Sequence, residues 1–401
     1  MLTSRLLRIF ASRARLALAL GAVAAAAAIA VPVAAGAASA ATGSARPGTV
    51  TASRAAPFPA TVLAFHCWTI SDCLAVGANF PQMATQLIAE RWNGARWSRA
   101  AMPKPAGADE VTVDALACPS RTECVAVGTG YPPGSSTSVI FPFADYWNGT
   151  RWTTGRAASF GSADFLASVA CPAAKSCYAV GNYTPKGGAS APLVEHWNGS
   201  AWSRQAVSVP RGTSDGWLQG VSCSSARFCV AVGTDGSGIL IERWNGSGWS
   251  MSAPRSVSSA GLYGVSCPSA TSCLAVGSTL TKSGGSLVER WNGRTWTAST
   301  TPVPRNASYA ALQSVSCASA VRCLAVGDDG NPGVYADSWN GTGWHLVSMT
   351  TTGGHIGAFS AVSCLAATSC AALGATTQFA ATARSESAFW NGTRWRVALT
   401  A

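Results

Sequence analysis

Charged residues are scarce in this chain: Asp, Glu, Lys and Arg make up 11% of its 401 residues, against about a quarter in an average soluble domain. With 48% hydrophobic residues as well, it has the composition of a folded protein and not of a disordered one. The basic residues form no run interleaved with aromatics, so no nucleic-acid groove is expected. Histidine is rarer still, and His66, His196, His345 and His355 share no metal-ligand spacing. A Gly-x-Ser-x-Gly nucleophile elbow and a His-Glu-x-x-His zinc helix are both missing, so no catalytic residues, no metal site and no cofactor are expected. Helical periodicity is absent after residue 40, where glycine and proline punctuate the chain too often for helices to form. That leaves an all-β protein.

The first 40 residues have no acid. They carry Arg5, Arg8, Arg13 and Arg15, then an Ala-, Leu- and Val-rich run from Leu16 that ends in Ala38-Ser39-Ala40. This is the pattern of a secretory signal peptide over 1–40, so the chain is expected to be secreted, with no stable membrane span once the segment is cleaved. The run is also long enough to cross a bilayer, and an uncleaved N-terminal anchor is the alternative. No cysteine follows it to carry a lipid. Residues 41–61 are rich in Ala, Pro, Ser and Thr and read as a flexible linker. Without the leader, 24 basic residues face 17 acidic ones, a scattered net charge of +7 that serves solubility.

Cysteine is plentiful. Fourteen fall into seven pairs, Cys67/Cys73, Cys118/Cys124, Cys171/Cys177, Cys223/Cys229, Cys267/Cys273, Cys317/Cys323 and Cys364/Cys370, each C-x5-C with none left over. Successive pairs begin between 44 and 53 residues apart, the period of repeat arrays and propellers. A structural zinc needs four ligands, whereas each unit offers two and no histidine recurs beside them. One disulfide per unit, clipping the loop between strands one and two, needs only an oxidising compartment, and closing so short a loop contributes about 2 kcal/mol.

Each unit reads alike: an apolar strand into the first cysteine, a short loop, a second strand such as "CLAVG", a variable segment, a third strand such as "SLVERW", then Trp-Asn-Gly-x-x-Trp. Asn-Gly signals a two-residue hairpin in which both residues take positive φ. Four antiparallel strands per unit and seven units, over 62–401, predict a seven-bladed β-propeller; stacked sheets or an open β-solenoid are the alternatives. Because the chain starts at a first strand and ends after the last Trp of a unit, closure by strand exchange would need a shifted blade boundary.

The order of elements, an apolar strand ending in Gly and then a turn with Trp, resembles the kelch repeat and galactose-oxidase-like propellers. Gly-x-x-Trp also resembles the tail of the Asp-box of sialidase-type propellers. A single Gly replaces the kelch pair, and Trp92, Trp147, Trp197, Trp244, Trp291, Trp339 and Trp390 stand where an Asp-box has its aspartate, so the resemblance implies the fold and not the activity. The Ala-rich leader resembles bacterial ones, actinobacterial in style. The sequons at Asn148, Asn198, Asn245, Asn306, Asn340 and Asn391 are therefore not expected to carry glycans, and the five in the Asn-Gly motif read as turns.

An acid stands two positions before the first Trp in six units, Glu90, Asp145, Glu195, Glu242, Glu289 and Asp337, with Ala388 breaking the series. A catalytic site used once per ring does not explain a residue present six times. These acids are expected to accept hydrogen bonds from backbone or arginine between blades. Function is expected on the face of the second-to-third loops and the crossovers between blades, where all the length variation lies. There Trp217, Tyr263, Tyr309, Phe165, Asp215, Asp164 and His355 are the candidate ligand-binding residues, with aromatic rings beside carboxylates suited to a carbohydrate or a peptide. The reading is a monomeric extracellular binding module for a glycan, cell-wall polymer or protein partner, with a purely structural surface protein also open. The alternative, a glycan-active hydrolase or lyase, would gather two carboxylates, or a carboxylate and a Tyr, within about 5 to 10 Å at that mouth.

Overall fold

The computed structural model describes residues 60–79, 86–134, 140–161, 163–186, 188–208, 215–252, 258–279, 284–305, 307–330, 334–347, 356–376, 385–393 and 395–399. The assigned signal peptide and nearly all of the linker lie outside them. Among the described residues no helix is long and apolar enough to cross a membrane.

Among the described residues twenty-eight strands form seven four-stranded antiparallel sheets, each built from four strands consecutive in sequence. In the first blade these are β1 (Ala60–Thr69), β2 (Asp72–Asn79), β3 (Gln86–Trp92) and β4 (Trp97–Ala101). The other six blades span 110–156, 163–204, 217–251, 260–299, 311–347 and 356–399. First strands of successive blades pack on one another, and β1 packs on the first strand of the seventh blade, Ile356–Ala366, which closes the ring. The alternating apolar residues of facing sheets fill seven separate cores, one per blade boundary.

Closure needs no exchanged strand and no shifted boundary. Blades seven and one meet through side chains alone: Leu373 and Ala371 pack with Cys73, Ala75 and Trp97. Trp92 stacks on Phe389 at 5.2 Å, and Trp97 Nε1 donates to Ser387 Oγ at 3.3 Å. Burial of the aromatic surfaces supplies here what a strand ladder would otherwise supply.

The glycine that ends each second-strand motif is required by a close approach. In blades two to six, a Cβ built on Gly128, Gly181, Gly233, Gly277 or Gly327 would lie 1.9 to 2.0 Å from a first-strand carbonyl oxygen, that of Thr112, Phe165, Trp217, Gly261 or Ala311. The first strand bulges beside this point, as between Leu218 and Gly220, and the bulge presses its backbone onto the glycine.

Candidate functional site

One face of the ring carries the cysteine loops and the Trp-Asn-Gly-x-x-Trp turns. All seven disulfides form as paired in the sequence, Cys67–Cys73, Cys118–Cys124, Cys171–Cys177, Cys223–Cys229, Cys267–Cys273, Cys317–Cys323 and Cys364–Cys370, with Cα atoms 4.0 to 4.1 Å apart. Each bridges strands one and two across the loop between them, as the spacing predicts, and also reaches into the interior. The second cysteine of every pair, Cys73, Cys124, Cys177, Cys229, Cys273, Cys323 or Cys370, is at most 6% exposed. Each of the seven blade-boundary cores contains one of them. The reason is strand alternation: this cysteine opens the inward-facing row of the second strand, and its sulfur packs as a small apolar group. These seven residues therefore belong to the cores and not to any ligand-contacting site; each bridge ties a loop to the interior beneath it.

The Asn-Gly turn differs from the expected two-residue hairpin. The two tryptophans pair across strands three and four, as Trp147 with Trp152, so the loop has four residues. Only the glycine takes positive φ, +92° to +99° across the blades. In the first six blades the Asn N–H donates to the carbonyl three residues on, at 3.2 to 3.3 Å. Its Oδ1 accepts the N–H groups two and three residues on, in blade two at 3.0 Å each. An asparagine whose side chain replaces a strand-end partner has no need of a positive φ.

The tryptophans join this turn to the disulfide loop. The indole N–H groups of Trp92, Trp147, Trp244 and Trp291 donate to the carbonyls of Ile70, Arg121, Ala226 and Ala270, at 3.1 to 3.2 Å. In these four blades cysteine loop, tryptophan and Asn-Gly turn therefore form one clasp, whereas the Trp339 indole of blade six makes no such bond.

The six recurring acids also serve the scaffold, and none has exposed surface. Glu195 Oε2 accepts Ala158 N–H at 3.1 Å, on the crossover that enters its blade. The Ser208 backbone and the Thr301 side chain, on the next and third-next crossovers, oppose the rise of the Glu242 and Asp337 carboxyls. Neither carboxyl accepts a hydrogen bond of full geometry from a described residue, and the Thr301 hydroxyl donates to Ser286 Oγ at 2.8 Å. Blade one has no preceding blade to supply a crossover, and there Arg99 Nε donates to Glu90 Oε1 at 2.9 Å. Burial pushes these carboxyls well above the usual carboxylate range: Glu195 and Glu242 to about 8, Glu289 and Asp145 to about 7, Asp337 to about 6.

The opposite face carries the second-to-third loops and the crossovers. Its predicted residues fall into different settings. Asp164 is fully buried and accepts from Ser159 Oγ, Phe160 N and Gly161 N at 2.8, 2.5 and 3.1 Å, so its carboxylate shapes the crossover into blade three. Phe165 and Trp217 are half-buried at equivalent positions of blades three and four, and Asp215 is exposed just before Trp217. Tyr263 is buried, its hydroxyl 2.8 Å from Ser278 Oγ. Tyr309 is 40% exposed and donates its hydroxyl to Asp328 Oδ1. His355 lies outside the described residues.

Tyr309, Gln313 and Asp328 belong to one network. Gln313 Nε2 donates to Asp328 Oδ2 at 3.3 Å, and burial holds the Asp328 carboxyl above its ordinary range. Burial, then Asp328, then Tyr263 and Asp329 all raise the Tyr309 phenol. Gln313 and Ser278 were not legible as site residues. The signal for Gln313 lay in the register: it stands four positions before its blade's first cysteine, as Tyr263 does. On the outer part of blade three, the Arg204 guanidinium stacks over Tyr183 at 3.9 Å and reaches Phe160 at 5.7 Å. Among the described residues no three His, Cys, Asp or Glu side chains are grouped to hold a metal ion.

Fold and surface together define a disulfide-clasped propeller with one uniform and one variable face. No protein-family model and no curated protein sequence matches the chain. Among solved structures it is similar to the lectin BP39L from Burkholderia pseudomallei, with TM-score 0.56 and 14% identity over 86% of this chain and all of that one. It is also similar to YCF48 bound to a D1 peptide, with TM-score 0.51 and 13% identity over 79% of this chain and 91% of that one. YCF48 from Cyanidioschyzon merolae gives TM-score 0.52 at 13% identity, over 80% and 95%. At these identities the likeness is one of fold.

Proposed function

We propose that the protein is a secreted binding module that engages an extracellular glycan, cell-wall polymer or protein partner through its variable-loop face. The observation that carries this reading is an asymmetry. Four positions before the first cysteine, blades two to seven hold Asp114, Ala167, Gln219, Tyr263, Gln313 and Ser360. Six positions before it they hold Thr112, Phe165, Trp217, Gly261, Ala311 and Ala358. A scaffold that repeats its packing residues and not its mouth residues has a mouth free to serve recognition. That solved neighbours of this fold include a lectin and a propeller carrying a peptide supports a binding role. Seven disulfides suit an oxidising, extracellular setting.

The hydrolase or lyase reading has one observation in its favour, the Tyr309 hydroxyl on Asp328. Its electrostatics oppose the chemistry. A nucleophilic tyrosine needs its phenolate stabilised, whereas burial and two neighbouring aspartates raise the Tyr309 phenol. Binding is the better use of this pair.

The test is a screen of the oxidised full chain against glycans, cell-wall polymers and cross-linkable protein partners, repeated with Asp215→Ala/Trp217→Ala and, as the opposite-face control, Arg91→Ala/Arg121→Ala. Loss of binding in the first double variant and not in the second is the expected result. Loss confined to the second would move function to the cysteine face and overturn the reading.

A further inference from the structure

The basic excess that lies scattered along the sequence is gathered by the fold. Within the C-x5-C loops stand Arg121, Lys175, Arg227 and Arg322, against two acids, Asp72 and Glu123. Among the described residues, the Trp-Asn-Gly-x-x-Trp turns on the same face add Arg96, Arg151 and Arg294 and no acid. All seven basic residues are exposed. Both acids are already engaged. Asp72 accepts from Arg91 and Arg121 at 3.1 and 2.8 Å, and Glu123 Oε1 accepts the Lys175 backbone N–H at 2.6 Å. Among the described residues no carboxylate pairs with the side chain of Lys175, Arg227 or Arg322. The crossovers and second-to-third loops of the other face mix the two signs, as Lys104 with Asp109 and Arg305 with Asp329.

The cysteine face also exposes three large aliphatic side chains. Ile70, Val321 and Leu365 are 38%, 50% and 41% exposed. Each lies in a C-x5-C loop, and their blades, one, six and seven, are consecutive in the closed ring. Ala320, Ala366 and Ala367 beside them are exposed as well. A single exposed aliphatic residue is ordinary; three on neighbouring loops, with Arg322 next to Val321, make an apolar sector in a basic face. No aromatic ring joins them. Among the described residues the exposed large aromatics are Phe160 and Tyr309, both on the other face. The cysteine face is level, too. Every loop has five residues between its cysteines and every turn four between its tryptophans, so equal lengths from equivalent anchors bring the tips to one height.

We propose that the cysteine face docks on an anionic phospholipid surface. The tips of blades six, seven and one enter the boundary between headgroups and acyl chains, and the arginines and Lys175 meet headgroup phosphates. Three observations select this partner. Surplus cations are drawn to the negative potential of such a surface, and the planar fork of arginine matches phosphate oxygens. The aliphatic tips find an apolar phase there, whereas a soluble polyanion would leave them uncovered. A level face fits a surface, and a single-stranded nucleic acid would need exposed rings on which its bases stack. The contact is peripheral and turns the variable-loop face away from the membrane, so it is separate from the binding proposed for that face.

The experiment is co-sedimentation and amide hydrogen exchange of the oxidised full chain with vesicles of phosphatidylglycerol and phosphatidylcholine in equal parts. Pure phosphatidylcholine vesicles, polygalacturonate and single-stranded DNA are the comparisons. On the anionic vesicles, exchange should slow in the C-x5-C loops of blades six, seven and one and not in the variable loops. Insertion of the leader alone does not imitate that pattern. Salt at about 1 M, where screening acts within about 3 Å, should weaken the docking. Lys175→Gln/Arg227→Gln should weaken it roughly twentyfold, at about fivefold for each cation. Val321→Ser/Leu365→Ser should weaken it roughly tenfold. Lys104→Gln/Lys186→Gln, the same change of charge on the opposite face, should alter it less than about twofold, as should Asp215→Ala/Trp217→Ala. Thermal melts of each variant separate lost docking from lost folding. Exchange slowed in the variable loops, equal retention by both cysteine-face double variants, or no difference between the two kinds of vesicle would overturn the proposal. Tighter capture by polygalacturonate or DNA than by the anionic vesicles would overturn it as well, and would make this face a polymer site. Each of these failures leaves the variable-loop reading standing, because that reading rests on residues of the opposite face.

Discussion

On the cysteine face of blade two, Cys118–Cys124, Trp147 and Asn148 have counterparts in each of the other six blades. On the loop face of the same blade, Asp114 has none that matches in any other blade. The two faces are ends of the same strands and share every core, so packing demands do not separate them. Local bonding does. The cysteine face is tied within each blade by a disulfide and an asparagine-capped turn, joined in blades one, two, four and five by an indole-to-carbonyl bond, all short-range, and each blade must make them for itself. The loop face is tied by contacts particular to one place, such as Asp164 under the Ser159–Gly161 segment or Tyr309 on Asp328. A ring clasped so heavily on one side leaves the other free to vary.

The largest effect that sharpens this comparison is a pH dependence arising from the buried acids of the scaffold. Their folded values are raised above the unfolded ones, so the stabilisation is complete below about pH 4 and is lost as pH climbs through the folded values of about 6 to 8. Each carboxyl contributes on the order of 1 kcal/mol or more. The melting temperature of the oxidised chain should therefore fall between pH 5 and pH 9, and Glu242→Gln should flatten the profile; a melting temperature higher at pH 9 than at pH 5 would contradict this account. Next comes Gly277→Ala, whose Cβ would meet the Gly261 carbonyl oxygen at 1.9 Å. It should cost at least about 3 kcal/mol in denaturant unfolding, because backbone must move on both strands.

Removing one clasp by Cys118→Ala/Cys124→Ala should cost about 2 kcal/mol and leave the other six bridges and the ring intact, as unfolding curves and a thiol titration would show. Alanine is the replacement of choice because Cys124 is buried, and a serine there would add the separate cost of an enclosed hydroxyl. The smallest effect belongs to the other face. Asp215→Ala, at an exposed position ahead of Trp217, should shift stability by no more than about 0.5 kcal/mol. A loss there as large as that of the cysteine pair would break the division into a clasped face and a free one.

The seven blades are legible because C-x5-C and Trp-Asn-Gly-x-x-Trp recur in register, and recurrence reports packing that every unit must satisfy. The turn departs from expectation because Asn-Gly is compatible with two hairpin geometries. Which one forms depends on the Trp pair facing each other across a four-residue loop and on the Asn side chain replacing a backbone partner. Spacing alone pairs Cys223 with Cys229, but it does not reveal that Cys229 is wholly enclosed in the core between blades three and four. The buried acids are recognisable as structural, yet only the fold shows that Glu90 pairs with Arg99 where Glu195 takes a crossover N–H. Tyr263 and Tyr309 stand out in the sequence as single aromatic residues; that Tyr309 shares the Asp328 carboxyl with Gln313 while Tyr263 turns to Ser278 is not readable from their positions.

By itself, then, the sequence determined the all-β class, the number of blades, the pairing of every cysteine and the existence of one constant and one variable face. Each of these follows from contacts made within a unit, between residues close along the chain, and a repeated local need leaves a repeated local mark. The tertiary structure alone decided how blade seven meets blade one without sharing a strand, how the second cysteine of each bridge enters a core, which acids hold which crossovers, and which mouth residues converge on Tyr309. Closure of the ring brings together the residues of different units among these; the others, such as Glu90 with Arg99 or Tyr309 with Asp328, are brought together by the pairing of strands within one blade.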